Sequence, residues 1–161
     1  LELPEGSVTP RFSLLTLPPD ETPALDCFIC GHLTPELVRR PEWLAHPNGA
    51  VGIAAVHLVA EDPPALVPAY RRLFGDDKVA ATGRGVEVDT GRNHLVFSRP
   101  AMSGANMPPP GITALELRTT SSAASEAYFK GAGVALKGLP DGRLAISPTE
   151  ANGTMLLFVE N

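Results

Sequence analysis

Apolar positions along the chain fall into a strand–helix–three-strand order that occurs twice. Gly52-Ile53-Ala54-Ala55-Val56-His57-Leu58 leads into Tyr70 and Gly75, and Gly111-Ile112-Thr113-Ala114-Leu115-Glu116-Leu117 leads into Tyr128 and Gly133. The two glycine–isoleucine starts lie 59 residues apart, and the tyrosines and closing glycines 58 apart. A repeat of this length predicts a supersecondary unit copied and packed against itself. In the first copy a strand at 51–60 precedes a helix opened by Asp62-Pro63, with Leu66, Tyr70, Leu73 and Phe74 on one face. Pro68 places its regular part from Ala65 onward, and Gly75 ends it. Strands at 78–81, 85–89 and 94–98 follow, with Gly83-Arg84-Gly85 as a turn. The second copy predicts a strand at 112–118, then a helix capped by Ser122 and reaching Ala132, with Ala124, Ala127 and Tyr128 inward. Strands at 134–137, 143–146 and 154–160 complete it, joined at Pro140-Asp141-Gly142 and Asn152-Gly153.

Residues 1–50 carry no such unit. Apolar runs at 11–17 and 24–30, separated by Pro18-Pro19-Asp20-Glu21-Thr22-Pro23, predict a β-hairpin. Thr34-Pro35-Glu36 predicts the start of a short helix with Thr34 as its cap. Residues 100–110 hold four prolines, two methionines and a glycine, the composition of a linker. The expected class is therefore α+β: paired βαβββ units at 51–99 and 111–161, preceded by a hairpin and connector at 1–50.

Composition narrows the function classes. The apolar fraction of 43% and charged fraction of 19% are those of a globular chain. The net charge is −5, and no basic cluster exceeds Arg71-Arg72 or Arg39-Arg40. No nucleic-acid or membrane partner is expected on that ground. No apolar run approaches the length of a membrane span, and two cysteines make no disulfide framework, so a cytoplasmic location is expected. No phosphate loop or dinucleotide motif is present, and no cofactor is expected.

Tandem βαβββ units resemble the vicinal oxygen chelate superfamily, the glyoxalase, bleomycin-resistance and extradiol-dioxygenase group. The stretches Cys30-Gly31-His32-Leu33-Thr34-Pro35-Glu36, Arg40-Pro41-Glu42-Trp43 and His46-Pro47-Asn48-Gly49-Ala50 are similar to its two-domain glyoxalase-like branch. In that branch a further domain lies upstream, so the resemblance implies that residues 1–30 end a preceding module. It also implies a metal in the cavity between units, held from their first and last strands. The first-strand ligand positions correspond to Ala55 and Ala114, which have no donor atom. The last-strand positions correspond to Arg99 and Glu160. One carboxylate does not hold a divalent ion, so no metal is expected between the units.

Strand alternation then nominates what stands there instead. His57 shares a face with Ala55, and Glu116 with Ala114. His57 and Glu116, at equivalent repeat positions, form a candidate acid–base pair. The alternative is that they pair for stability alone or lie in water at strand ends. Arg99 and Glu160 form a candidate ligand-binding or internal ion pair. His32, Glu36 and His46, with Cys30 nearby, form a second metal-capable set in the connector. Cys27 and Cys30 would point to opposite faces of a strand. Trp43 is expected to pack on the sheet, and His94 to be solvated at a hairpin edge.

Two function classes follow. One is a glyoxalase-like domain with a degenerate metal site that binds a small organic molecule or mediates homodimerisation. The other is a glyoxalase, lyase or dioxygenase type of enzyme, whose site lies upstream or uses His57 and Glu116.

Overall fold

A computed structural model describes residues 1–83, 85–100 and 111–161. The turn residue Arg84 and all but Pro100 of the expected linker lie outside the described residues. The chain opens with the short strands β1 (Glu2–Leu3) and β2 (Gly6–Ser7), which the sequence pattern does not announce. A hairpin follows, β3 (Phe12–Thr16) and β4 (Phe28–His32). Then come a 3-10 turn at Pro35–Leu37 and the four-residue helix α1 (Pro41–Leu44). The first unit is β5 (Ala50–Val59), α2 (Pro63–Phe74), β6 (Val79–Thr82), β7 (Gly85–Asp89) and β8 (His94–Ser98). The second is β9 (Gly111–Thr119), α3 (Ser122–Gly131), β10 (Leu136–Gly138), β11 (Leu144–Ile146) and β12 (Met155–Glu160).

Both units share one eight-stranded sheet in the order β10-β11-β12-β9-β5-β8-β7-β6. Within each unit the first and last strands run parallel, and β5 and β9 join the units antiparallel. Val56 opposes Leu115 in that central pair. These are equivalent repeat positions, so the local twofold axis passes between them.

One face of the sheet carries the helices. Leu58, Leu66, Tyr70, Val79, Val86, Val88 and Phe97 form the first core, and Phe129, Leu144, Ile146 and Phe158 the second. The centres correspond. Tyr70 packs on Phe97 with ring centroids 4.9 Å apart, and Phe129 on Phe158 at 5.1 Å. The core partner of Tyr70 is thus Phe129, at the 59-residue spacing of the strand starts, and not Tyr128. Ala124, Ala127 and Tyr128, expected inward, are exposed, whereas Ser125 and Phe129 are buried. The tyrosine match set the helix face one position out of register.

Two further local expectations are corrected. Helix α2 runs regularly through Pro68, because Pro68 and Pro64 both lie on the exposed side. There water can satisfy the carbonyl that the missing N–H leaves open. The cap of α3 is Ser121, whose Oγ accepts from the Ala124 N–H at 3.2 Å. Thr34 does stand at the N-cap of the 3-10 turn, but its Oγ1 makes no cap bond and accepts instead from the Arg11 N–H at 2.9 Å.

The hairpin is tied down at its loop. Tyr70 Oη donates to the Pro23 carbonyl at 3.2 Å, and burial pushes that phenol upward in pKa. Leu25 joins the first core, and Arg72 reaches Glu21 at 3.3 Å. The strands themselves are bare: Phe12, Leu14, Leu15, Phe28 and Ile29 are all exposed. Trp43, expected to cover the sheet, is 42% exposed and stacks under the Arg40 guanidinium.

Candidate functional site

The face opposite the helices is open, and its centre is set by the pairing of β5 with β9. Val56 and Leu58 pack toward α2, so Ala55 and His57, which alternate with them, point to the open face. Ala55 opposes Glu116, and His57 opposes Ala114. Each polar side chain therefore faces an alanine, and the two cross diagonally over the twofold. Ala55 and Ala114 are both buried, and their small size leaves room for the crossing. His57 Nε2 lies 3.0 Å from Glu116 Oε2. The expected juxtaposition of His57 with Glu116 is present.

A third group joins them. Arg143, immediately before β11, donates from Nη1 to Glu116 Oε2 at 2.6 Å. On its other side it donates from Nε and Nη2 to Asp141 Oδ2 at 3.1 and 2.7 Å. Hydrogen bonding by His57, aided by that of Arg143, holds the Glu116 carboxyl below the usual carboxylate range despite the opposing effect of burial. Asp141 is held low by Arg143, and Arg143 is raised first by Asp141 and then by Glu116.

The sequence pattern gave Arg143 and Asp141 no more than the end of a turn and the start of a strand. The register shows the signal. Phe97 opposes Val86 and Phe158 opposes Leu144, so Val86 and Leu144 are equivalent. Arg143 then stands where the first unit has Gly85. That glycine is required: a Cβ there would lie 1.9 Å from the Phe97 carbonyl oxygen. An arginine at one copy of a position that is glycine in the other is visible only once the pairing is known.

His57 and Arg143 line a cavity of about 630 Å³ together with Gly85, Glu87, Val96 and Ser98. In strand order β12, β9 and β5 separate β11 from β8. The sheet therefore curls enough for Arg143 of the second unit to reach the hollow of the first. Beside it His94 Nδ1 lies 2.9 Å from Glu87 Oε1 without hydrogen-bond geometry. His94 is half-exposed rather than fully solvated.

The other candidates are not brought together. Arg99 and Glu160 do not meet. β8 and β12 end at opposite ends of the sheet, since they run parallel to the antiparallel pair β5 and β9. Each serves the helix of its own unit instead. Arg99 Nη2 approaches Asp62 Oδ1 at 3.9 Å, and Glu160 Oε2 accepts from the Ser122 N–H at 2.8 Å. Equivalent positions related by a twofold converge only near the axis, and these lie far from it. His32 packs edge-on against Phe12. Among the described residues no three His, Cys, Asp or Glu side chains gather as metal ligands, so His32, Glu36 and His46 do not form a set. Cys27 and Cys30 are free thiols. No helix of the described residues is long and apolar enough to cross a membrane.

The donor set at the twofold does not fit a divalent ion. It offers one imidazole already bonded to one carboxylate, and a guanidinium occupies the same carboxylate oxygen.

Comparison with solved structures agrees with the architecture. Methylmalonyl-CoA epimerase from Mycobacterium tuberculosis superposes with a TM-score of 0.55 at 16% identity, over 72% of this chain and 91% of its own. A methylmalonyl-CoA epimerase in complex with methylmalonyl-CoA and NH4+ gives 0.52 at 16%, over 70% and 95%. A hypothetical protein from Bacillus halodurans gives 0.51 at 14%, over 68% and 93%. No protein-family model and no curated protein sequence matches the chain. The chain has the vicinal oxygen chelate, or glyoxalase-like, fold. At these identities the likeness extends to the fold and no further.

Proposed function

We propose that this chain is a small-molecule-binding domain whose ligand occupies the open-face cavity beside His57, and that it binds without a metal ion. The observation that carries this is the cavity itself. Its volume of about 630 Å³ falls in the range of small-molecule sites. Val96 supplies an apolar wall beside a few convergent polar groups. A solved neighbour of the same fold holds methylmalonyl-CoA, an organic ligand. The guanidinium of Arg143, rather than an ion, supplies positive charge at the centre. An NMR titration of the chain with a fragment library tests the site. Binders should shift the amides of Glu87, Val96 and Ser98 first. Shifts confined to other surfaces, or stoichiometric zinc displacing the Arg143–Glu116 contact, would refute the reading.

A second reading rests on the His57–Glu116 contact at 3.0 Å. A carboxylate that fixes an imidazole tautomer makes the other ring nitrogen a proton acceptor. On this reading the domain exchanges a proton of its ligand. Deuterium incorporation from solvent into a bound ligand, lost in His57→Ala, is its test. Homodimerisation belongs to the same proposal: the bare apolar hairpin of β3 and β4 is the surface a second copy would cover. Sedimentation of the wild type against Leu14→Lys decides it, since a monomeric wild type leaves no dimer to disrupt. A cytoplasmic location remains part of this reading, and cell fractionation is its check.

A further inference from the structure

We propose that the second copy covering the hairpin does so reciprocally, the β3–β4 hairpin of each chain lying in an apolar groove beside the start of β5 of the other. This rests on the homodimer reading, and it names the surface that the hairpin meets.

The groove is built where β5 outruns its neighbour. β8 pairs with β5 only from Ala55 to Val59, so Ala50 to Ala54 have a strand on one side only among the described residues. Two shifts of register in that stretch bend the edge. A bent edge disfavours an added strand and leaves side-chain packing as the means of covering it. Two adjoining cavities of about 330 and 450 Å³ share Leu44, His46, Ala50 and Val51, and the larger continues to Ile53 and Leu117. Leu44, Val51 and Ile53 are all exposed. No Asp, Glu, Lys or Arg lines either cavity, as in the centre of a protein interface.

Size and charge assign the occupant. The hairpin strands hold five residues each, well short of the about 20–30 a side that a stable interface uses. Two hairpins packed on each other therefore fall short. A dozen residues line the groove, and a contact in which each chain gives both hairpin and groove reaches that size. The hairpin loop carries Asp20, Glu21 and Asp26 and no cation. Glu21 meets Arg72, but Asp20 and Asp26 are exposed and have no ion-pair partner among the described residues. Residues 101–110, which precede Gly111 beside that loop, carry no charge. At the groove, Arg118 opposes Gly52 and donates from Nη1 to the Ile53 carbonyl and from Nη2 to the Arg92 carbonyl, each at 2.8 Å. Neither Arg118 nor Arg92 meets a carboxylate among the described residues. An acidic loop from one chain thus complements a basic rim on the other.

Sedimentation of the wild type, Leu14→Lys and Val51→Glu tests this. The wild type should be a dimer, and each variant should dimerise at least about tenfold more weakly. Tyr128→Lys, exposed on α3 and outside both surfaces, should match the wild type. Mixed, the two weakened variants should associate again, because the hairpin of the Val51→Glu chain meets the groove of the Leu14→Lys chain. Undiminished dimerisation of Val51→Glu, or no recovery on mixing, would overturn the inference and leave the dimer standing. Open-ended oligomers of the wild type would overturn its reciprocal closure. A monomeric wild type removes the dimer itself, and the inference with it. Should either variant not fold, hydrogen exchange of the wild type decides: with rising concentration, protection should grow together in residues 28–32 and 44–53, and growth in the hairpin alone would overturn the contact.

Discussion

The two units are copies in topology but not on their open face. In the first, Val96 and Ser98 of β8 and Glu87 of β7 line a hollow. In the second, the equivalent space is filled: Ala114, Ala145 and Leu157 are buried there and packed by Leu139 and Met155. Register makes the substitution explicit. Glu87 opposes Val96 in one unit, and Ala145 opposes Leu157 in the other. The half that gave up its cavity contributes a cation to the half that kept one, because Arg143 stands where Gly85 stands across the twofold. A duplicated scaffold can thus divide its labour. One copy supplies volume, and the other supplies a side chain that no residue of the first could place there.

The helix-side cores offer the hardest way to break this comparison. Phe97→Ala and Phe158→Ala should each cost about 3–5 kcal/mol in urea unfolding. The first is expected to cost more, because Phe97 sits in the larger cluster and contacts Tyr70. The reverse order would mean that the second unit is the stable half. Next comes the clip that holds the connector to the second unit. Thr119 and Ser125 are fully buried, their hydroxyls 2.7 Å apart, and Ser125 Oγ donates to the Asn48 carbonyl at 2.7 Å. Thr119→Val should cost about 1–3 kcal/mol by removing the buried hydroxyl that bonds Ser125 Oγ and the Gly49 carbonyl, read in the same unfolding assay. No counterpart of that clip exists in the first unit among the described residues, so the loss should be specific to the second.

The charged centre gives a smaller, pH-dependent effect. The folded-state value of Glu116 is lowered, so its contribution to stability is present above the usual carboxylate range. It is lost as pH falls through that lowered value. Glu116→Gln should remove about 1–2 kcal/mol at neutral pH. The deficit relative to wild type should shrink on acidification, and a deficit constant from neutral to acid pH would show that the carboxylate charge plays no part. The smallest contrast lies at the helix starts. Glu160→Ala should cost about 0.5–1 kcal/mol, because Glu160 accepts from the first turn of α3. Arg99→Ala should stay within about 0.5 kcal/mol, since its contact with Asp62 is long and exposed. Equal losses would show that both units treat their helix ends alike.

Much of the frame was legible in the residues. The 59-residue spacing located both units, and strand alternation put His57 and Glu116 on one face with the alanines. The Asn152-Gly153 turn, both residues at positive φ, followed from composition alone. Where legibility failed, it failed for geometric reasons. Arg99 and Glu160 looked paired because they are equivalent in sequence, yet a twofold sends equivalent positions apart in proportion to their distance from the axis. Tyr128 looked like the partner of Tyr70, yet packing followed the helix register to Phe129.

Local chemistry and periodicity belong to the chain itself: which segments extend, which coil, which side of a strand a residue occupies, and where a donor atom is missing. Those properties depend on neighbours a few residues away. The hollow, the reach of Arg143 into it and the single oxygen shared by imidazole and guanidinium depend on how far an eight-stranded sheet curls and on which copy fills its face. Only long-range packing determines these, and no spacing along the sequence encodes them.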